Sequence, residues 1–499
     1  MTTQAATVSS SKYRMAPGDL RMIIVLLIAA FVVILNETIM NVALPSLMVE
    51  LGVSASTVQW LSTAFLLTMA VVIPMTGFIL QRFSLRASFI AALSLFSLGT
   101  LIAAVSPGFP LLLLGRIVQA SGTAIAMPLL MTTVLRVVPA HARGTMMGTV
   151  SIVISVAPAL GPTVSGIILE SLSWRWMFLI VLPIALTALA VGMLVLRNVG
   201  EVRRSSLDIL SVVLAAIGFG GFVYGVSLAG EAPGAWSQPR VLLPVAIGGA
   251  SLVVFVLRQF ALQKTDNPLL DLRVFRFPMF ALSVGLFMIV MMGLFGSMIL
   301  LPIYLQNVRG FGSLDTGLFL LPGGVLMGAV APFVGRIYDR RGPVPLTTIG
   351  ASLLTLMLWR FSTISAETPV PLLLAMHLTL TLGMALLSTP LMTTAMNPLP
   401  RRLYSHGSAT MSTLQQVAGA MGVALLVTVM SSRAASLGAS VGPELAQAAG
   451  LRTAFGVASL FALTAVILTL FLRTSVAKEE EEAPAVAQAE TGEQRPVPL

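Results

Sequence analysis

Apolar runs of about 20 residues, separated by short polar segments that carry most of the arginines, repeat along the whole chain. A helix of that length, rising about 1.5 Å per residue, crosses the roughly 30 Å hydrocarbon core of a bilayer. Six such runs cover 22–44, 59–80, 87–106, 110–133, 144–169 and 177–196. Eight more cover 209–229, 241–257, 277–303, 316–335, 344–364, 369–396, 404–431 and 453–472. The pattern predicts an all-α polytopic membrane protein with 14 transmembrane helices. Composition supports this class, because 57% of the 499 residues are hydrophobic and 10% are charged, against about 25% charged in soluble domains.

The charges then orient the predicted spans. With the N-terminus inside, the tails and inner loops hold 22 of the 29 Lys and Arg, among them Arg82, Arg86, Arg136, Arg143, Arg203, Arg204, Arg336, Arg340, Arg341, Arg401 and Arg402. The outer loops hold five, Arg175, Arg240, Arg309, Arg433 and Arg452. By the positive-inside rule both termini are expected to be cytoplasmic, in a protein integral to the cytoplasmic membrane. A net charge of +10 does not indicate nucleic acid here, since the basic residues come in bursts between apolar runs rather than in one basic domain. The first span is too long for a signal peptide and is expected to stay in the mature protein. The stretch from Lys478 onward, with four consecutive glutamates, reads as a disordered acidic tail.

Several kinds of chemistry are disfavoured by composition. No cysteine is present, which removes disulfides, thiolate metal sites and cysteine nucleophiles. Histidines at 141, 377 and 406 are scattered, so no metal site and no cofactor are expected. Phosphate-binding loops of the Walker type are missing and no loop is long enough for a catalytic domain, so neither an enzyme nor an ATP-driven pump is expected.

One acidic residue stands apart. Glu37 lies in the first apolar run, within Leu35-Asn36-Glu37-Thr38-Ile39-Met40-Asn41. A carboxylate at membrane depth is costly, which points to an ion relay or a substrate contact. Arg116 in the fourth span lies at similar depth, and Glu37 is the one carboxylate deep in a span. The two are expected to interact directly, through water or through Gln119. Such a pair either couples protonation to helix packing or serves as a permanent ion pair fixing helix register.

A short repeat relates the two ends of the chain. Gly77-Phe78-Ile79-Leu80-Gln81-Arg82-Phe83-Ser84 lies between spans two and three, and Gly335-Arg336-Ile337-Tyr338-Asp339-Arg340-Arg341-Gly342 between spans ten and eleven. Both begin with Gly and carry Arg five residues on, on an inner hairpin. That location divides the chain into two groups of six spans with two extra spans between them.

At this point the sequence resembles the fourteen-helix drug:proton antiporter branch of the major facilitator superfamily. The run Asn36 to Pro45 resembles that branch's first-helix signature, and the two hairpins resemble the superfamily's basic loop motif. Arg116-Ile117-Val118-Gln119-Ala120-Ser121-Gly122 resembles its arginine motif, and Ala157-Pro158-Ala159-Leu160-Gly161-Pro162-Thr163-Val164-Ser165-Gly166 its antiporter motif. The resemblance implies export of drugs or antibiotics by proton antiport. It also marks Arg82, Arg86, Pro158, Gly161, Pro162, Gly166, Gly335, Asp339, Arg340 and Arg341 as residues of conformational motifs. Two departures stand out. The branch has aspartate where this chain has Asn36, and it prefers aspartate and glycine where the first hairpin has Gln81 and Ser84. A one-residue shift turns a helical side chain by about 100°, so the helix face that presents Glu37 is left open.

Other polar positions allow two readings each. Asn36, Asn41, Gln119, Thr123, Gln415 and Gln416 either line a substrate cavity or make interhelical hydrogen bonds. Met292, in the methionine-rich ninth span, either shapes an adaptable apolar pocket or is ordinary packing. The small residues Ala157, Gly161 and Ser165, four apart, allow close helix approach and suggest a hinge or sliding contact.

The expected organisation is a cytoplasmic tail over 1–20, a six-helix bundle over 21–197 and two extra helices with linkers over 198–265. A second six-helix bundle follows over 266–474, and then the acidic tail over 475–499. The expected function is alternating-access export of a small amphipathic substrate in exchange for protons by a monomer in contact with membrane lipids. A lipid or lysolipid mover of the same architecture is the alternative. A non-transporting receptor or intramembrane enzyme is the reading from another class.

Overall fold

The computed structural model describes residues 16–53, 55–139, 142–198, 208–229, 235–265 and 268–473. The acidic tail, most of the N-terminal tail, His141, Arg203 and Arg204 lie outside them. The first six helices are α1 (Pro17–Leu51), α2 (Ala55–Arg82), α3 (Leu85–Ala104), α4 (Phe109–Val137), α5 (Arg143–Ser171) and α6 (Arg175–Val195). Next come α7 (Ile209–Ala215), a π turn at Ala216–Gly220, α8 (Gly221–Ala229) and α9 (Pro239–Gln263). The last six are α10 (Pro278–Ile303), α11 (Ser313–Arg341), α12 (Val344–Phe361), α13 (Val370–Met396), α14 (Tyr404–Val441) and α15 (Pro443–Thr469). Among the described residues there is no strand, and 14 spans are long and apolar enough to cross a membrane, α7 and α8 forming one of them. The protein is therefore an integral membrane protein. Successive spans alternate in direction, so the outermost described residues share one face, called here the terminus-bearing face.

Helices α1–α6 and α10–α15 form two bundles with matching internal contacts. In the first bundle α1 packs on α4, α5 and α6, and α3 on α4 and α6; in the second α10 packs on α13, α14 and α15, and α12 on α13 and α15. The same correspondence relates the two broadest contacts between the bundles, α5 with α11 and α2 with α14. Small residues make the first of these close. A Cβ on Gly144 or Gly335 would strike backbone or side chain of the facing helix, and the same holds for Gly148 against Ala331 and Gly324 against Ala159. The Ala157, Gly161 and Ser165 stripe faces elsewhere, for Gly161 abuts Thr38 of α1 and Ser165 lies near Met177 of α6. Hence that stripe packs the first bundle internally, and different glycines touch across the seam.

The extra helices cover the other seam. Ala215, Phe219 and Val223 of the α7–α8 span and Phe255 of α9 share an apolar cluster with Ala70 and Phe78 of α2 and Ala409 and Val417 of α14. Their ends on the terminus-bearing face are pinned by Asp208, which caps α7 through the Ser211 amide at 3.1 Å. Arg258 of α9 donates two 2.7 Å hydrogen bonds to the same carboxylate, a bidentate pair. That guanidinium holds the Asp208 carboxyl down at about 2.

Both hairpins of the repeat turn sharply, by different means. Gly342 takes φ 75° after α11, a left-handed conformation that glycine adopts without a Cβ clash. Ser84 instead has φ −64° and caps α3, its hydroxyl accepting from the Ala87 amide at 3.3 Å. The departure from glycine at Ser84 is thus a change of turn chemistry and not a lost turn.

Candidate functional site

Arg116 lies in α4, seven residues from Phe109, and its side chain is 1% exposed. Close packing of α3 on α4 builds its surroundings, since a Cβ on Gly99 would strike the backbone of Gln119. Arg116 Nη1 donates to Gln119 Oε1 at 2.6 Å and to Asn36 Oδ1 of α1 at 3.2 Å. Gln119 Nε2 donates in turn to Thr100 Oγ1 of α3 at 2.7 Å. The guanidinium sits 4.0 Å above the Phe65 ring of α2, a cation–π contact that strengthens in a dry site. Among the described residues Arg116 Nε is buried without a hydrogen-bond partner.

Position 36, where the resembled branch carries its acid, therefore supplies the arginine with a neutral acceptor. Among the described residues Glu37 forms no ion pair and no hydrogen bond, although it and Arg116 attract each other through space. Its direction follows from its neighbours. Asn36 turns to α4 and Thr38 to Gly161 of α5, about 200° of helical rotation apart, with Glu37 midway between them. Val25 and Ile28, which meet α6 at Pro183 and Ile184, lie on the opposite arc of α1. Glu37 thus points away from α6 into the space between α4 and α5, and it is partly exposed there.

The remaining sequence candidates divide by environment. Asn36, Gln119 and Thr123 are 2%, 0% and 3% exposed and are bonded within the first bundle, Thr123 to the Gln119 carbonyl at 3.1 Å. Asn41 and Pro162 lie in helices, but their side chains are outside the described residues. Gln415 and Gln416 are half-buried on α14, and Gln416 Nε2 approaches Met69 Sδ of α2 at 3.7 Å, across the seam. Met292 is partly buried, its backbone against Gly422 of α14. Pro158 is half-buried on α5, and Gly166 lies 3.8 Å from Leu314 of α11 when given a Cβ.

A second polar constellation closes the seams on the terminus-bearing face. Asp339, at the end of α11, accepts from the Gly144 and Thr145 amides at 2.9 Å each and from the Thr145 hydroxyl at 2.8 Å. It thereby caps the first turn of α5 from the other bundle, where amides and helix dipole favour an anion. Gln81 holds the matching place on α2 and donates to the Arg402 carbonyl at 3.0 Å. The first hairpin therefore keeps a link across the seam, with an amide in place of a carboxylate. Arg143 Nη2 donates to Tyr404 Oη at 2.7 Å, Thr132 and Ser408 hydroxyls pair at 3.0 Å, and Ser151 and Thr389 at 2.8 Å. Of the remaining hairpin residues, Arg82 is half-buried and Arg86, Arg340 and Arg341 are exposed.

Sequence reasoning missed Phe65, Thr100, Thr145 and Tyr404. Each is ordinary in its own helix and becomes part of a site only through a neighbour distant in sequence. The antiporter-motif stripe also gave no sign that Gly144 and Gly148, about three and a half and two and a half turns earlier, touch α11.

Comparisons with known proteins agree with this architecture. A family model described as Major Facilitator Superfamily matches residues 26–423. The chain is 40% identical over 432 residues to lincomycin resistance protein LmrB of Bacillus subtilis, covering 87% of this chain and 89% of that protein. It is 41% identical over 453 residues to the protein of the same name from Listeria monocytogenes, covering 90% and 95%. A multidrug resistance protein B homolog of Mycobacterium tuberculosis is 30% identical over 420 residues, covering 84% and 77%. Among solved structures, the human organic anion transporter MFSD10 superposes with TM-score 0.65 at 15% identity, over 91% of this chain and all of that one. The proton:xylose symporter XylE superposes with TM-score 0.59 at 16% identity, over 92% and 97%. With two pseudo-symmetric six-helix bundles, an arginine buried against the first helix and a paired basic-hairpin motif, the chain belongs to the major facilitator superfamily of transporters.

Proposed function

We propose that the chain is a proton-coupled antiporter that exports amphipathic small molecules, lincomycin-like antibiotics among them, by alternating access. The observation that carries this reading is Glu37, which among the described residues is the one carboxylate deep in a span, turned to the bundle interior beside Arg116. Because Asn36 and Gln119 satisfy the arginine, Glu37 can exchange its proton with cavity water without breaking a hydrogen bond. Protonation removes its attraction to Arg116 and so biases the packing of α1 against α4. One charge moved across 100 mV is worth about 2.3 kcal/mol, about a 50-fold shift between two conformations.

In this reading 21–197 and 266–474 rock against each other about the cavity, and 198–265 travels with the α2–α14 seam. The terminus-bearing face is cytoplasmic, as the excess of arginine on that side supports. The protein acts as a monomer among membrane lipids and carries out no covalent chemistry. A single acid in the cavity suits neutral, zwitterionic or monocationic substrates. The resistance proteins among its relatives support drug over lipid as cargo.

Reconstituted vesicles test the reading. Imposing a proton gradient should drive lincomycin transport, and Glu37→Gln should retain substrate binding while losing gradient-driven flux. Undiminished coupling in Glu37→Gln would remove Glu37 from the proton path. Gradient-driven movement of labelled lysolipid but of no drug would replace export of drugs by the lipid reading.

A further inference from the structure

We infer that the two extra helices are a screen carried by the second bundle. They keep the α2–α14 seam closed to the bilayer throughout the cycle, and they leave the α5–α11 seam as the entrance for amphipathic cargo from the leaflet on the terminus-bearing face. The inference rests on the alternating-access reading and is independent of Glu37 as the coupling acid.

The hairpin of α7, α8 and α9 holds together by itself. The Ser251 hydroxyl of α9 donates to the Leu214 carbonyl at 2.9 Å, and Gln259 Nε2 donates to the Ser211 hydroxyl at 2.8 Å. Glycines let α8 and α9 touch, for a Cβ on Gly225 would lie 2.9 Å from the Val245 amide nitrogen and one on Gly248 would strike the Phe222 backbone.

Hydrogen bonds fasten this unit to the second bundle at both ends. Gln259 is fully buried, and its Oε1 accepts from the Leu269 and Leu270 amides at 2.9 and 3.3 Å, in the segment that leads into α10. At the opposite face the Thr428 hydroxyl of α14 donates to the Ala229 carbonyl at 3.2 Å and accepts from the Trp236 indole at 3.2 Å. The face laid on α2 is apolar instead. Phe219 and Val223 cluster with Ala70 and Phe78, Val71 packs on Gly220 in the π turn, and the Trp60 and Tyr224 rings lie 5.8 Å apart.

In a bilayer these two kinds of contact respond differently to motion. Apolar contact with a neighbouring helix is exchanged for similar contact with lipid tails, so α2 slides or parts at little cost. A hydrogen bond broken in hydrocarbon finds no water to replace it. When the bundles rock, the hairpin therefore stays on α14 and still stands outside the gap that opens against α2. The α5–α11 seam lacks such a screen among the described residues. Phe333 and Ile337 of α11, flanking Gly335, are 60% and 40% exposed. Its closure there rests on the Gly144–Gly335 approach and on the Asp339 bonds to Gly144 and Thr145. Once these part, the gap faces lipid directly, and a cargo dissolved in that leaflet meets it without crossing water.

The chain has no cysteine, so introduced cysteines are unique labelling sites. In nanodiscs, Asp339→Asn removes the capping carboxylate and favours the open form. Nitroxides at the exposed positions Phe83, Phe260 and Arg401, taken in pairs, report which bodies separate. As the Phe83–Arg401 pair separates, Phe260–Phe83 should lengthen with it and Phe260–Arg401 should keep a single distance. An alkyl maleimide confined to the bilayer then reads the two seams through Ile152→Cys on α5 and Met75→Cys on α2, both half-buried. Relative to the same cysteines without Asp339→Asn, the modification rate should rise about five-fold or more at Ile152→Cys and less than about two-fold at Met75→Cys. Should Met75→Cys fail to fold, Leu67→Cys in the same apolar cluster is read in its place. A hairpin that follows α2, a rise at Met75→Cys equal to that at Ile152→Cys, or no rise at either while the face opens would overturn the proposal. A face that opens at no pH and no lincomycin concentration would instead remove the alternating-access reading, and this proposal with it.

Discussion

Asp339→Asn tests what the capping carboxylate contributes to the closed seam. The native side chain accepts three hydrogen bonds of 2.8–2.9 Å from Gly144 and Thr145, and it places a negative charge at the positive end of α5. Asparagine keeps the shape and one acceptor oxygen, but it puts an NH2 group where the second oxygen received a donor. Losing one charge-assisted bond costs about 1.5–3 kcal/mol in a buried setting, and losing the charge at a helix N-terminus about 0.3–1 kcal/mol at a wet one. Asp339 is half-buried, so the lower part of the range applies, about 1–2 kcal/mol for the substitution. Because the contact exists only while α5 and α11 meet, the loss falls on the closed form, and the open fraction should rise about 5- to 30-fold. Nitroxides at the exposed positions Phe83 and Arg341 read that fraction, with the unfolding midpoint measured alongside. A change of less than two-fold in a variant that remains folded would refute the capping argument and leave closure to the glycine packing and the other hydrogen bonds across the bundles.

Two further predictions follow from the polar networks. Asn36→Leu removes one acceptor from Arg116 while Gln119 remains, and should lower stability by about 1–3 kcal/mol in denaturant titrations in mixed micelles; no change would mean that the arginine is satisfied without α1. Asp208, held down at about 2 by Arg258, titrates in an unfolded chain near 3.9. Its contribution is therefore complete above that value and lost as pH falls through about 2. Hydrogen exchange at the start of α7 should be insensitive to pH between about 5 and 8 once the intrinsic rate is corrected, and Asp208→Asn should raise it throughout.

Much of this protein was legible without coordinates. The spans appear as apolar runs because a backbone in hydrocarbon must satisfy its own hydrogen bonds, and a helix does so within one segment. Glu37 and Arg116 were visible for the same reason, since charge at membrane depth is conspicuous in one dimension. The two hairpins announced themselves as a repeated motif. The sequence placed Glu37 and Arg116 at one depth and left open whether they meet directly, through water or through Gln119, because local information does not decide between these. Which of two adjacent polar residues meets the arginine is decided by the rotation of α1 against α4, and the close approach of α3 to α4 through Gly99 sets that geometry.

The sequence by itself determined the membrane class, the number of spans and the residues whose charge demands an explanation, because these follow from the free energy of placing each residue type in hydrocarbon. Tertiary structure alone decided the partners. Asn36 rather than Glu37 takes the arginine, Asp339 caps a helix 194 residues away in sequence, and His406 receives the Asp271 amide. Such contacts depend on helix rotation and distance, which one-dimensional hydropathy does not encode. A hydrogen bond is made or lost within a few tenths of an ångström, whereas the hydrophobic energy that places the helices in the membrane hardly changes over that range.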